Sequence, residues 1–272
     1  MKTKNKDNRS ARRALALIAA LAVFATLAVG AILAYNRLRE VWIEQCAITD
    51  VNSQVSIESG NRISPDTVRE MFGLRNGANL ALIDFATKRN DALKKYPAIK
   101  SINVSRLLPG GVSITVVERD PFARIGLSGS KKPTGRVCDD EGVVFTCRRG
   151  AEMLPLIREP EEPGTKPGEA LKDRSRSALT VLLVAREPQF ADLNILEIET
   201  AKPDFLEITL TNYSKVKFRW TGMDGFTPES DAALREQLTK VSQTIGTNLS
   251  GEVKVWNATI QGVVTSSTNQ PN

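Results

Sequence analysis

An uncharged apolar run near the N-terminus constrains this chain more than any other feature of its sequence. The run begins at Ala14 and ends at Tyr35, and no charged residue interrupts it. At ~1.5 Å per helical residue it reaches ~33 Å, enough to cross a hydrocarbon core of ~30 Å. A helix pairs its backbone N–H and C=O groups within its own segment, as a membrane interior requires. The run predicts a transmembrane helix over residues 14–36.

The residues before this run form a basic tail. Residues 1–13 carry six Lys or Arg side chains against Asp7 alone. Positive flanking charge predicts that this tail stays cytoplasmic and that the rest of the chain lies outside. The remainder of the chain is close to neutral, so we expect no nucleic-acid partner.

Two other kinds of segment could share the composition of the run. A cleaved signal peptide would also start with a basic region, and Ala28, Val29 and Gly30 offer small residues for cleavage. Signal peptides, however, have apolar cores of about 7–15 residues, shorter than this run. A buried globular helix would have a polar face, which residues 14–35 lack. The sequence favours a retained anchor over both.

The absence of histidine narrows the chemistry that is open to this chain. No Ser-His-Asp or Cys-His nucleophile can form, and three cysteines cannot supply a four-thiolate zinc site. The carboxylates at 139–141, and those of Glu159, Glu161 and Glu162, are typical of a solvated hairpin turn and a proline-rich loop. Residues 126–131 lack the ending of a phosphate loop. We predict that the chain is not an enzyme and takes no cofactor, metal or small-molecule substrate.

The first half of the external part has a strand-helix-helix-strand-strand pattern. Apolar and polar residues alternate at 54–58, 99–106 and 112–118, as in half-buried strands. Ser64 and Pro65 begin a helix that Gly73 ends, and Asp84 caps a second helix that runs to about Lys95. We expect the two helices to cover one face of a three-stranded antiparallel sheet. The predicted core residues are Val68, Leu93, Ile102, Val104 and Ile114.

Short motifs occur in the same order as these elements. They are Gly60-Asn61 and Ser64; Pro97-Ala98-Ile99; Val104-Ser105-Arg106; Leu108-Pro109 and Ile114; Glu118-Arg119-Asp120-Pro121-Phe122-Ala123; Asp140-Glu141-Gly142-Val143-Val144-Phe145; and Leu154-Pro155-Leu156. Together with the basic tail and single span, they resemble the FtsQ/DivIB family of bacterial cell-division proteins, with its POTRA domain. The resemblance implies a tail at 1–13, a membrane helix at 14–36, a POTRA domain at 47–119, a β-domain at 120–265 and a disordered tail at 266–272.

The second half of the chain is rich in strand patterns. They lie at 193–199, 205–210, 215–220 and 252–256, and helical patterns lie at 171–186 and 229–245. This mixture resembles the β-domain that follows POTRA in the family, so the whole chain is expected to be α+β. Cys138 and Cys147 flank a hairpin whose register places Cys138 opposite Val144. We therefore expect buried thiols rather than a disulfide there.

The resemblance implies a non-catalytic divisome scaffold that links early and late division proteins and binds coiled-coil partners like FtsB and FtsL. Such a protein is single-pass and type II in the bacterial inner membrane, largely periplasmic, and concentrated at the septum. In the family the partner's strand adds beside the last strand of the β-domain. Here that strand is expected at Val253, Lys254, Val255, Trp256, Asn257, Ala258, Thr259 and Ile260. Trp256 could be either a core or an interface residue.

A second kind of function remains open on the sequence alone. POTRA domains also occur in secretion and outer-membrane assembly proteins, and an anchored module of that kind is the alternative. A single POTRA pattern with no membrane barrel after it argues against this alternative.

The anchor can be tested by the mass of the protein in isolated membranes. We expect the tail that contains Arg13 to remain attached, because the apolar run is longer than a signal peptide core. A mature N-terminus near Ala31 would contradict the prediction.

Overall fold

The computed structural model describes residues 4–107, 109–147, 149–160, 164–225, 227–247 and 254–268. Within these ranges the helices are α1 (Lys4–Gln45), α2 (Val51–Gln54), α3 (Pro65–Phe72), α4 (Phe85–Lys95), α5 (Asp173–Ala185) and α6 (Pro228–Gly246), with a 3₁₀ turn at Pro188–Phe190. The strands are β1 (Val55–Glu58), β2 (Ile99–Leu107), β3 (Gly111–Glu118), β4 (Ala123–Leu127), β5 (Arg136–Cys138), β6 (Val144–Thr146), β7 (Leu156–Glu159), β8 (Ile195–Glu199), β9 (Leu206–Leu210), β10 (Lys215–Phe218), β11 (Lys254–Ile260) and β12 (Val263–Thr268). The predicted α+β class is confirmed, and so is the strand-helix-helix-strand-strand order of the first half of the external part.

Helix α1 contains the predicted membrane span. Leu21–Gln45 includes an 18-residue stretch of mean hydropathy 1.6, long and apolar enough to cross a membrane. The side chains of residues 21–42 are exposed on all sides, which suits an apolar solvent rather than water. At its end, the Asn79 side-chain amide donates to the Ile43 carbonyl at 2.7 Å. The anchor therefore runs into the loop at Asn79 without an intervening linker.

The contacts of the chain divide it into two compact units, residues 1–89 with 102–116 and residues 90–101 with 117–272. The first is built on a three-stranded sheet of order β1-β3-β2. Strand β1 runs parallel to β3, with Val55 beside Val112, so the prediction of an antiparallel sheet was wrong. The two helices carry the chain across the sheet, and the returning strand β3 inserts between β1 and β2.

The predicted helix ends are confirmed. Ser64 Oγ accepts from the Thr67 amide at 3.2 Å at the start of α3, and Gly73 ends it with a φ of +68°. Asp84 Oδ1 accepts from the amides of Ala86 and Thr87, both at 3.1 Å. These caps satisfy donors that a helix start otherwise leaves without a partner.

The predicted core is only partly correct. Val68, Ile102 and Ile114 are buried, but Leu93 and Val104 are half-buried. On α4 the buried face contains Phe85 and Ala92, two helical turns apart, and Leu93 is rotated away from it. Val104 belongs to β2, which lies at an edge of its sheet.

The second unit is built on a nine-stranded sheet of order β12-β11-β10-β9-β8-β7-β4-β5-β6. Three pairs within it are parallel: β4 with β7, β7 with β8 through α5, and β10 with β11 through α6. Both helices contribute to one core with alternate strand residues, among them Ile157, Ile198 and Val216. Because side chains alternate along a strand, neighbours such as Arg158 and Lys217 point to the other face. That face carries these charged residues and, at its β5–β6 end, a small apolar cluster around Val137 and Phe145; it is called the open face below.

The central position of β3 gives a test of the first unit. Replacing buried Ile114 with Ala should cost roughly 2–5 kcal/mol, since it leaves a cavity in the middle of the sheet. Hydrogen exchange of peptides from residues 99–118, in the full chain in detergent micelles, measures this loss. Val117→Ala is the matched control on the same strand, where the side chain is 41% exposed. Equal protection in wild type and Ile114→Ala would contradict the assignment.

Candidate partner-binding site

Most of the residues predicted to bind a partner form strand β11. Val253 lies outside the described residues, and Lys254–Ile260 make up the strand. On one side, β11 forms a parallel pair with β10, and Trp256 lies beside Val216. On the other side, β11 forms an antiparallel pair with β12, and Trp256 lies beside Ser266.

The expectation that this strand is the last of the β-domain was therefore wrong. Strand β12 follows immediately and occupies the edge itself. Its residues 266–268 were expected to be disordered, yet they continue the strand to Thr268. The missed signal was Gln261-Gly262, a two-residue turn between runs of β-branched residues. Gly262 takes a φ of +73°, which its lack of a side chain permits.

The side chains of β11 divide between the core and the surface. Trp256 is 3% exposed and belongs to the core together with Ala258, which assigns it the core role. Asn257 is exposed, and Ile260 at the end of the strand is 66% exposed. Ile260 pairs with Val263 of β12, which is 45% exposed. The two form an apolar pair beside the turn.

A buried glutamine on α6 fixes the last hairpin. The Gln237 side-chain amide donates to the carbonyls of Ala258 at 2.9 Å and Ile260 at 3.1 Å. Its oxygen accepts from the Gly262 amide at 2.7 Å. Gln237 is completely buried, so its amide replaces water for backbone groups at the end of β11 and in the turn.

The two edge strands of the nine-stranded sheet, β6 and β12, differ in whether other parts of the chain bond to their outer sides. Next to β6, the Val144 amide donates to the Glu169 carbonyl at 2.9 Å, and the Gly168 amide donates to Val144 at 2.8 Å. These bonds cover the β6 edge. Among the described residues, no segment pairs with the outer side of β12. This side is where another strand could be added.

The acidic clusters have structural roles. Asp139 is buried, against the expectation of a solvated turn; it accepts from the Arg119 guanidinium and from the Val143 amide at 2.8 Å. Hydrogen bonds from Lys100 and Arg119 lower the pKa of the exposed Glu141 carboxyl. These partners hold the segment that contains residues 139–143.

Glu159 is also buried, unlike the exposed loop residue that was expected. Its carboxylate accepts from the Thr165 amide at 2.9 Å and lies 3.5 Å from Arg136 Nη1. Glu161 and Glu162 lie outside the described residues. Glu159 therefore holds the returning chain at Thr165 against the end of β7.

The cysteines offer no reactive group. Cys138 lies beside Val144, as the hairpin register predicted, and it does not pair with Cys147. The two thiols belong to different apolar clusters. Burial raises the pKa of Cys138 to about 12, so its nucleophilic thiolate is not populated near neutral pH. In the part of the chain that the structure describes, no group of His, Cys, Asp or Glu could hold a metal ion.

Comparison with known proteins bears on the first unit and its flanks. Residues 52–119 match the family model described as POTRA domain, FtsQ-type. The chain is similar to cell division protein FtsQ of Corynebacterium glutamicum, 33% identical over 89 residues, 32% of this chain and 37% of that relative. It is also similar to cell division protein FtsQ of Streptomyces collinus, 30% identical over 105 residues, 38% of each chain. The alignments span a little over a third of the length of these relatives.

The role of Gln237 gives a test that is independent of any partner. Gln237→Leu keeps the side chain volume but leaves the Gly262 amide without its acceptor, at a cost of about 1–3 kcal/mol. We expect faster hydrogen exchange in residues 254–268, because the hairpin loses its attachment to α6. Gln243→Leu is the matched control, since that side chain is exposed on the same helix. Equal exchange in both variants would contradict the role assigned to Gln237.

Proposed function

We propose that this chain, which has an FtsQ-type POTRA domain and is similar to two cell division proteins FtsQ, is a non-catalytic divisome scaffold. In this proposal it links early and late division proteins at the septum and binds coiled-coil partners of the FtsB and FtsL kind. An extended segment of the partner adds as a strand to the nine-stranded sheet. The FtsQ-type character of the POTRA match favours this function over a secretion or outer-membrane assembly module.

The observation that carries the proposal is the position of β12. It is the terminal strand of the sheet, whereas the opposite edge at β6 is covered by residues 168–170. A strand edge presents N–H and C=O groups to one side, and an extended peptide can pair with them. The predicted docking position therefore moves by one strand, from β11 to the outer side of β12.

The residues first expected to bind remain part of the proposed surface. Asn257 and Ile260 of β11 are exposed next to β12, and Val263 lies directly beside Ile260. An added strand would lie ~4.8 Å from β12, so its side chains would reach Val263 directly, while Ile260 lies one strand further in. The apolar pair Ile260 and Val263 would receive an apolar partner side chain near the turn, which would fix the register.

The membrane arrangement follows from the anchor. We propose that α1 spans the inner membrane once, with the basic tail in the cytoplasm and both compact units outside. The loop at Asn79 is bonded directly to the end of α1. The first unit would then stay near the membrane surface.

Proline substitutions at neighbouring positions of β12 test the docking edge. Successive backbone amides of a strand point to opposite sides, so one of Thr265 and Ser266 directs its amide to β11 and the other outward. We expect one of the two variants, Thr265→Pro or Ser266→Pro, to remain folded and lose binding of the bacterium's own FtsB-like protein. Melting of the full chain in micelles and co-purification with that protein measure the two effects.

A side-chain variant provides a second measurement that leaves the backbone intact. Val263→Lys places a charge at the exposed apolar pair and should weaken binding roughly tenfold or more. Lys202→Gln is a control at an exposed residue outside β11 and β12. Wild-type affinity in Val263→Lys and in both proline variants would place the partner elsewhere.

A further inference from the structure

A cavity of about 760 Å³ lies on the open face of the nine-stranded sheet. Its floor is formed by β4, β7 and β8, through residues such as Gly126, Leu156 and Glu197. The loop at residues 130–135 and the segment that contains Ala151 line its sides. The proposed docking edge at β12 does not include any of these residues.

The floor of the cavity is kept open by a glycine. A Cβ at Gly126 would approach Leu156 Cδ1 to 3.2 Å, closer than ordinary contact. Larger side chains at this position would fill the space above β7. The open volume is within the ~300–1,000 Å³ that is typical of ligand pockets.

Arginine side chains hold the walls in place. Arg158 Nη1 donates to the carbonyls of Ser130 and Leu127, while its Nε donates to Glu197 at 2.6 Å. Arg124 Nε donates to the Leu154 carbonyl at 2.8 Å. These bonds fix the guanidinium groups against both sides of the cavity before any ligand arrives, which reduces the entropy lost on binding.

The lining combines positive charge with apolar surface. Five of the lining residues are cationic and two are carboxylates. Glu197, one of the carboxylates, is already paired with Arg158. Lys131 and Lys132 are exposed at the rim, and Leu156 and Leu196 supply apolar wall. A ligand that matches this lining carries carboxylates on either side of an apolar group.

We propose that this cavity is a second docking site, which binds an acidic peptide segment that contains an apolar side chain. The guanidinium groups of Arg158 and Arg136 already bond Glu197 and Glu159, so the exposed ammonium groups of Lys131 and Lys132 are the cations that bind the carboxylates of the peptide. A lone inorganic anion would leave the apolar wall exposed, and a peptide of alternating acidic and leucine residues would cover it. Four strand spacings of ~4.8 Å separate β12 from β8, so the cavity lies ~19 Å or more from the docking edge. A peptide bound in the cavity would leave that edge free.

The probe is a fluorescein-labelled hexapeptide, Glu-Leu-Asp-Glu-Leu-Glu, titrated with the full chain in detergent micelles. Fluorescence anisotropy should detect binding that weakens with added salt, since the rim charges are exposed to solvent. The neutral peptide Gln-Leu-Asn-Gln-Leu-Gln should bind at least roughly fivefold more weakly. Equal affinity for both peptides would overturn the proposal.

Paired charge variants locate the binding site. Lys131→Gln with Lys132→Gln should weaken binding of the acidic peptide roughly fivefold, as expected for the loss of two exposed ion pairs. The control, Lys202→Gln with Lys240→Gln, removes the same charge from exposed positions outside the cavity. An equal effect in the two double variants would indicate nonspecific attraction and would overturn the proposal.

A cavity-filling variant tests the location without a change in charge. Gly126→Val should lower the affinity for the acidic peptide, and its melting temperature should show that the fold is retained. If this variant does not fold, the paired charge variants test the location of the site. Val263→Lys should bind the peptide like wild type, because Val263 is not in the cavity. The proposal for the cavity and the proposal for the β12 edge are therefore tested independently. Vesicles of phosphatidylglycerol test whether the cavity binds lipid instead. Vesicle binding that requires Lys131 and Lys132, in the absence of peptide binding, would assign the cavity to lipid and overturn the proposal.

Discussion

The attachment of the last hairpin to helix α6 determines what the second unit can present to a partner. Gln237 bonds backbone groups at the end of β11 and in the turn that leads to β12. A hairpin at a sheet edge is held by one neighbouring strand, and an isolated one is only marginally stable. The buried amide adds a second attachment from the helix layer, so the β12 edge keeps a defined position. Added strands bind well only to an edge that is already ordered.

The two helical crossovers of the nine-stranded sheet explain why its main core lies on one face and most of its charged residues lie on the other. Parallel strands joined through a helix place that helix on a face of the sheet. Helices α5 and α6 share one core with alternate strand residues such as Ile157 and Val216. The other face has no helix from either crossover, so charged residues such as Arg158 and Glu197 occupy it. The cationic cavity is a consequence of this one-sided arrangement.

Buried charges in this protein hold segments of chain together. Arg119 binds Asp139, and Glu159 binds Arg136 and the backbone at Thr165. A buried carboxylate without such partners would be strongly destabilising. Sequence spacing alone suggested a solvated hairpin turn at Asp139 and an exposed proline-rich loop at Glu159, because runs of acidic residues are usually exposed. The arginine partners are 20 or more residues away in sequence, and no local pattern could reveal them.

The sequence by itself determined the features that depend on neighbouring residues. The apolar run, the caps at Ser64, Gly73 and Asp84, and the alternation in β2 and β3 are local, so the order of elements and the FtsQ-type POTRA resemblance followed from them. Only the tertiary structure decided which strands are neighbours. Strand β3 inserts beside β1 in parallel, and β12 covers β11, because pairing depends on where helices carry the chain. An edge is a property of the whole sheet, so the position of a free one cannot be derived from the pattern of a single strand.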